Sequence, residues 1–194
     1  MRRLLTAGLL GLAGVMVVPL SAAPVGAATC AEDTACDTTT TFDVTAGALE
    51  ITVPDTVALA NAAAPDGYAY GQLGEVTVND ERASTTPAWT VTVTSTDFTT
   101  GTAGAGEVID SGSVYYCSGS ATATTGDGTF TAGQTGCAAP PPPTGQTLDT
   151  PRTAYAHTDG TGNNSATWDP LITVAIGLNN VAGTYTGTIS HTVA

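Results

Sequence analysis

Few side chains in this sequence could take part in acid–base or nucleophilic chemistry. The chain has two histidines, His157 and His191, and no lysine. General acid–base catalysis needs a positioned group that titrates near the working pH, and nucleophilic catalysis needs an activated hydroxyl, thiol or amine. Ser190 precedes His191 directly, but neighbouring residues of a strand point to opposite faces of a sheet. Neither a G-x-S-x-G nor an H-E-x-x-H motif occurs, so the sequence predicts no catalytic residues and no enzyme.

A glycine-rich run offers oxygen ligands for a cation. The run Asp159-Gly-Thr-Gly-Asn163-Asn164 carries one carboxylate and two side-chain amides, and oxygen is the ligand atom that Ca²⁺ takes. The run lacks the residue order and the closing glutamate of an EF-hand loop. Asp159 and Asn163 are therefore calcium candidates on ligand type alone, and the sequence predicts no cofactor.

The two tryptophans are candidates for binding a ligand by stacking. Trp168 precedes an Asp-Pro pair at the end of an apolar run, where its ring could be half exposed and could stack on a sugar. Trp89 has the same parity as Val91 and Val93, which favours packing of its ring in a core. Core packing is the alternative for Trp168 as well.

The N-terminus has the layout of a secretory signal peptide. Two arginines after Met1 are followed by an uncharged apolar stretch over residues 4–20 and by small residues up to Ala28. The apolar stretch is shorter than the roughly 20 residues that a spanning helix needs. We therefore expect cleavage after Ala28, with Ala27 or Ala23 as alternatives. The mature chain is then expected to be extracellular, without a membrane span.

Four cysteines in an exported chain predict disulfide bonds. Cys30, Cys36, Cys117 and Cys137 allow three pairings. We expect the sequence-local pairing, Cys30–Cys36 with Cys117–Cys137. Closing the larger of these two loops is worth ~3 kcal/mol in chain-entropy models. A zinc site is not expected, because neither spacing fits C-x₂₋₄-C.

The mature chain is strongly acidic. Its seventeen Asp and Glu residues are opposed only by Arg82 and Arg152, so its formal charge is −15 once the two N-terminal arginines are removed. Nucleic-acid binding depends on Lys and Arg that neutralise phosphates, so a nucleic-acid partner is not expected. Electrostatic docking on anionic lipid or on an anionic cell wall is disfavoured for the same reason.

Apolar residues alternate with polar ones in short runs, which is typical of the strands of a β-sandwich. We expect an all-β, antiparallel β-sandwich of the immunoglobulin-like or Greek-key type, with about seven to ten strands in one domain over residues 29–194. Threonines occupy the outward positions of the clearest run and of the terminal run. The runs are Phe42-x-Val44, Leu49-x-Ile51-x-Val53, Leu73 with Val76-x-Val78, Trp89-x-Val91-x-Val93, Phe98, Val108-Ile109, Val114-x-Tyr116, Ala166-x-Trp168, Ile172-x-Val174-x-Ile176 and the odd-numbered positions from Tyr185 to Val193.

Three segments are expected to connect these strands. Residues 57–72 are rich in Ala, Gly and Tyr, and residues 118–136 are rich in Gly, Ser and Thr. The second of these segments is expected to be a loop or a loose hairpin. The proline-rich stretch near 138–150 cannot lie in the centre of a sheet, so it is expected to form an exposed loop.

Several runs together resemble the WxL domain family of secreted surface proteins of Gram-positive bacteria. They are Gly47-Ala-Leu-Glu-Ile-Thr-Val-Pro54, the segments 71–80 and 88–98, and Ala182-Gly-Thr-Tyr-Thr-Gly-Thr-Ile189, which resembles the final hairpin of that family. The chain has Val91 where the family has leucine, and it lacks the second W-x-L motif near its C-terminus. These departures indicate a divergent, actinobacterial-looking branch.

The resemblance implies a β-rich, non-enzymatic module outside the cell. Members of this family associate non-covalently with peptidoglycan, often together with other surface proteins. The expected function is therefore that of a non-catalytic cell-surface module, with the cell wall or other surface proteins as partners. The alternative is a structural subunit that packs into a pilus-like or surface-layer array through an exposed sheet edge.

Overall fold

A computed structural model describes residues 29–59 and 63–194. The predicted signal peptide, residues 1–28, lies outside the described residues. The chain divides into two units, Met1–Phe42 and Asp43–Ala194. In the described part of the first unit, Cys30 and Cys36 form a disulfide bond, and no residue belongs to a helix or a strand.

The second unit is an antiparallel β-sandwich, as the alternation predicts. Ten of its fourteen described strands have four or more residues. The described residues contain no α-helix but one 3₁₀-helix, Ser111–Ser113, and no helix among them is long and apolar enough to cross a membrane. The strands are β1 (Leu49–Thr52), β2 (Tyr68–Gln72), β3 (Val76–Ser84), β4 (Trp89–Ser95), β5 (Phe98–Thr99), β6 (Val108–Ile109), β7 (Val114–Cys117), β8 (Ala123–Thr125), β9 (Thr129–Ala132), β10 (Gln146–Thr147), β11 (Arg152–Thr158), β12 (Gly162–Trp168), β13 (Leu171–Ala175) and β14 (Ile189–Val193).

Three four-stranded sheets make up the sandwich. Sheet A has the order β1-β3-β12-β8, sheet B the order β10-β7-β13-β2, and sheet C the order β14-β4-β11-β9. Strands β5 and β6 form a separate two-stranded sheet. Neighbouring strands are antiparallel throughout.

One hydrophobic core joins the three sheets, because alternate residues of their strands point inward. Val91 and Val93 of β4 are fully buried, and the threonines that alternate with them lie on the other face. Burying a valine side chain stabilises the fold by about 1.5–3 kcal/mol. The buried cluster consists of Val76, Val78, Trp89, Val91, Val93, Ile109, Val114, Tyr116, Leu148, Ala154, Tyr155, Ala166, Trp168, Ile172 and Val174.

The expected strand at Phe42-x-Val44 is wrong. Phe42 is 85% exposed and Val44 is 75% exposed, and neither residue belongs to a strand. Pairing with β3 begins only at Gly47, whose N–H donates to the Glu81 carbonyl at 2.7 Å. Beyond that point β3 is no longer extended, since Ala83 has a φ of 50°. The residues before Gly47 therefore meet no straight strand edge.

Two connections contain strands that the sequence did not predict. The segment 57–72 ends in β2, which pairs with β13 in sheet B. All the side chains of β2 except the last are half-buried, so it shows no alternation. The segment 118–136 is not a hairpin, because β8 pairs with β12 in sheet A and β9 pairs with β11 in sheet C. This segment passes from one sheet to another.

The apolar runs on either side of Pro170 also separate into two sheets. Strand β12 lies in sheet A and β13 lies in sheet B, so the chain passes from one sheet to the other at Pro170. The turn between them is fixed by Asp169, whose Oδ1 accepts the Gly74 N–H at 3.0 Å.

Both predicted disulfide pairings are confirmed. Cys117, at the end of β7, is fully buried and bonded to Cys137, 20 residues further along the chain. The proline run that follows is exposed at Pro141 and Pro142. Part of the expected loop is not exposed, because β10 pairs with β7 and Leu148 is buried in the core.

Removing the Cys117–Cys137 bond should destabilise the sandwich by ~3 kcal/mol, because the open chain gains the entropy of a loop of this length. We expect the C117S/C137S variant to unfold at a lower urea concentration than the wild type. The matched control is C30S/C36S, whose bridge closes a loop in the first unit and whose loss should leave the urea midpoint unchanged. Equal midpoints for the wild type and C117S/C137S would contradict this assignment.

Candidate functional site

Both tryptophans lie in the core. Trp89 is 2% exposed and Trp168 is 0% exposed. A ring that stacks on a sugar must present one face to solvent, which neither of these rings does. Core packing therefore describes both residues, and the sugar-stacking interpretation is wrong for Trp89 and Trp168.

Trp168, Tyr116 and His191 form a hydrogen-bonded chain that joins all three sheets. The indole Nε1 of Trp168 lies 3.0 Å from the Tyr116 hydroxyl oxygen, which lies 3.0 Å from Nε2 of His191. An indole N–H can only donate, so the Tyr116 hydroxyl oxygen accepts from it. We assign the remaining hydroxyl proton of Tyr116 to the bond with Nε2 of His191, because this nitrogen is its other side-chain neighbour within hydrogen-bond distance in the described chain. His191 is therefore neutral, with its proton on Nδ1.

Burial tunes the two titratable members of this chain. It lowers the pKa of His191 to about 4 and raises the pKa of Tyr116 above its ordinary value. The Nδ1 atom of His191 is buried without a hydrogen-bond partner among the described residues. The Nε2 atom of His191 is therefore occupied by the hydrogen bond to Tyr116, and the imidazole stays neutral at neutral pH.

A second buried network connects sheet C to sheet A. Nε1 of Trp89 donates to Oδ1 of Asn164 at 2.8 Å, and the amide of Asn164 donates to Asp80 at 3.4 Å. Asp80 is fully buried and accepts two guanidinium bonds from Arg82, each 2.8 Å long. The hydrogen bond from Arg82 is the main cause that lowers the pKa of Asp80. The charge that is buried here is thus paired, as a buried carboxylate requires.

His157 is also a core residue. Its Nε2 lies 3.0 Å from the Asp127 carbonyl oxygen, which can only accept, so His157 carries its proton on Nε2. The ring stacks on Trp89, with centroids 5.7 Å apart, and contacts Phe130 at 4.5 Å. Within the described chain, the imidazole rings of the two histidines make hydrogen bonds only to the Tyr116 hydroxyl and to this carbonyl oxygen.

The calcium candidates use their oxygens within the protein. Oδ1 of Asn163 accepts the Ala83 N–H at 2.9 Å, and Oδ2 of Asp159 accepts the Thr158 hydroxyl at 3.3 Å. Over residues 29–59 and 63–194, no three His, Cys, Asp or Glu side chains lie together as a ligand set. Asp159 and Asn163 thus stabilise the ends of β3, β11 and β12.

The outer face of sheet C is an uncharged array of hydroxyl groups. The residues that carry these hydroxyls either occupy alternate positions of one strand or lie opposite one another in neighbouring strands. They therefore all lie on the same face of the sheet. One cross-strand row, for example, runs Thr153–Thr92–Thr192. We call this surface the threonine face; it consists of Thr90, Thr92, Thr94, Thr129, Thr131, Thr153, Ala156, Ser190 and Thr192. Thr158, opposite Thr129, points to the same side but is left out of this set, because its hydroxyl donates to Asp159 at 3.3 Å.

The hydroxyls of the threonine face make no side-chain hydrogen bond within the described chain. On the outer face of sheet A, by contrast, Thr77 and Thr167 bond to each other at 3.0 Å. Thr125 and Ser165 bond to each other there at 2.7 Å. The hydroxyls of the threonine face therefore face solvent, whereas these two pairs of hydroxyls on sheet A satisfy each other.

An apolar groove of about 750 Å³ lies at another place on the second unit. It is bordered by the connection before β2 and by the segment before β14, and it reaches down to the core residues Ile109 and Val174. Its described lining carries no charged side chain. The groove is thus a second uncharged surface, and its lining is of the kind that apolar ligands occupy.

Sequence reasoning placed the threonines of β4 and β14 on an outward face but assigned them no role. The signal was present as the T-x-T-x-T spacing of residues 90–94 and its counterpart in β14. The contributions of β9 and β11 could not be read from the sequence, because they depend on which strands become neighbours.

No match was found when the chain was compared with models of protein families, with curated proteins and with solved structures. The resemblance to the WxL domain family therefore stays a prediction. Any function must accordingly be inferred from the geometry of the threonine face, the groove and the buried networks.

The burial of His191 predicts a pH-dependent stability. The unfolded chain takes up a proton near pH 6.5 and the folded chain only near pH 4, so stability falls as the pH drops through this window. Because His191 is partly exposed, we expect the effect between pH 7 and pH 5 to be about 1 kcal/mol.

The test of this effect is the H191Q variant, since glutamine can accept the Tyr116 hydroxyl and does not titrate. Urea unfolding of H191Q at pH 7 and pH 5 should show a smaller loss of stability than the wild type. The same loss in both proteins would show that His191 does not carry the effect.

Proposed function

We propose that this protein is an exported, non-catalytic module that associates non-covalently with the cell surface. Its partners are the peptidoglycan wall or other surface proteins. The main support is how the side chains are used: both tryptophans and His157 are buried, His191 is half-buried, and all four make hydrogen bonds within the sandwich. The threonine face and the groove remain as two uncharged surfaces on an otherwise acidic protein.

Charge sets the kind of contact that such a module can make. Its two arginines are both ion-paired, Arg82 with Asp80 and Arg152 with Asp149. The described chain therefore has no unpaired cationic side chain with which to attract an anionic polymer. Retention on a wall must then depend on short-range hydrogen bonds and apolar contacts, which salt does not screen.

This mode of binding gives a salt signature. We expect the purified chain 29–194 to co-sediment with Gram-positive sacculi, and its retention to stay constant or rise from low to high ionic strength, because salt weakens repulsion between acidic surfaces. The measurement is the bound fraction over a salt series, with and without a calcium chelator. Absence of retention throughout the series, both with and without the chelator, would overturn wall binding.

The segment before β1 favours a second candidate function, that of an assembly subunit. Phe42 and Val44 are the two most exposed of the large apolar side chains in the described residues, and they lie two positions apart, as on one face of a strand. An extended segment of this kind can add to the sheet of another copy by β-augmentation.

Assembly through this segment predicts concentration-dependent association. Light scattering of the purified chain should show a mass that rises with concentration, and the F42S/V44S variant should remain a monomer. The matched control is L178S, which replaces another highly exposed apolar side chain outside this segment. A wild-type protein that is monomeric at every concentration would contradict the assembly function.

A further inference from the structure

We propose that the threonine face binds an uncharged polysaccharide strand. This inference rests on the proposed function and names both the surface and the chemistry of the partner. The face presents seven threonines and one serine across four strands. Each side chain offers a hydroxyl that can donate and accept, next to the methyl or methylene group that carries it. Sugar rings display the same combination of hydroxyls and C–H surface.

The availability of these hydroxyls distinguishes this face from an ordinary polar sheet surface. The hydroxyls of Thr92, Thr153 and Thr192 form one row and have no side-chain partner in the described chain. The equivalent hydroxyls of sheet A are already paired, as between Thr77 and Thr167. A ligand on sheet A would have to break those bonds, whereas a ligand on sheet C replaces only water. Sheet C is therefore the face that can gain hydrogen bonds on binding.

The dimensions of the face suit an extended chain of sugars. Neighbouring strands are about 4.8 Å apart, and side chains on one face repeat about every 6.8 Å along a strand. The hydroxyls fall in four staggered rows, none of which crosses all four strands, so the array is roughly 14 Å wide and roughly 20 Å long. An array of this size can hold a short oligosaccharide with several hydrogen bonds at once.

Charge selects the kind of polysaccharide. The mature chain has a formal charge of −15, yet the nine side chains of the threonine face carry no charge. An anionic glycan would be repelled by the rest of the protein without meeting a cation on this face. A neutral glycan meets neither attraction nor repulsion and can use every hydroxyl. The geometry thus favours the uncharged sugar backbone of a wall over its anionic polymers.

The test compares two sheet faces by replacing hydroxyls with methyl groups. The T92V/T153V/T192V variant removes one row of hydroxyls while keeping side-chain shape, and T77V/T167V is the matched control on sheet A. We expect the row variant to bind sacculi about tenfold or more weakly, since it loses up to three hydrogen bonds. The control should bind like the wild type. Urea midpoints of both variants show whether the fold is retained.

A second measurement uses the unaltered protein and a defined probe. Titration with a soluble hexamer of N-acetylglucosamine should shift the backbone amide resonances of β4, β11 and β14, and an anionic oligogalacturonate of equal length should not. Shifts confined to the apolar groove, no shifts, or equal binding of the anionic oligosaccharide would overturn this inference.

The outcomes separate this inference from the proposed function. If the wild type and the row variant are retained equally on sacculi, wall association stands and the threonine face is not the contact. If the wild type is not retained but the hexamer still shifts β4, β11 and β14, wall association fails and glycan binding by this face stands.

Discussion

The hydrogen-bonded chain from Trp168 through Tyr116 to His191 is the interaction on which the arrangement of the three sheets depends. Each of its members comes from a different sheet, and each buried polar atom that it pairs would cost about 1–3 kcal/mol if left without a partner. The direction of the hydrogen bond between Trp168 and Tyr116 is also fixed, because the indole N–H can only donate. A polar chain of this kind specifies how the sheets meet more narrowly than apolar contacts can.

The buried hydrogen-bonded chain limits which side chains remain available to contact a partner. The two tryptophans and His157 are buried in the sandwich, and His191 is hydrogen-bonded to the buried Tyr116. The carboxylate of Asp80 is also used within the sandwich, because it is buried and is held by the guanidinium of Arg82. The surface of sheet C is then left to hydroxyl groups, and it is there that the protein can make contacts by hydrogen bonds without charge.

Much of the fold could be predicted from the sequence, because a period of two specifies a strand and its inward face. The run Trp89-x-Val91-x-Val93 became β4 with the expected residues buried. Strand β2 could not be predicted, since its residues are half-buried on both sides and so show no alternation. Phe42 and Val44 show the reverse case, in which alternation is present but no strand edge is available. The threonine face needed strand order, which no local pattern contains.

The two imidazole rings use Nε2 in opposite ways, His191 as an acceptor from Tyr116 and His157 as a donor to a backbone carbonyl. Long-range ¹⁵N–¹H correlation spectra of the imidazole rings over a pH series test this difference directly. We expect His191 to carry its proton on Nδ1 and to stay neutral down to about pH 4, and Nε2 of His157 to bear the proton that it donates to the Asp127 carbonyl. A His191 that becomes charged near pH 6.5, or that carries its proton on Nε2, would contradict this arrangement of the buried chain.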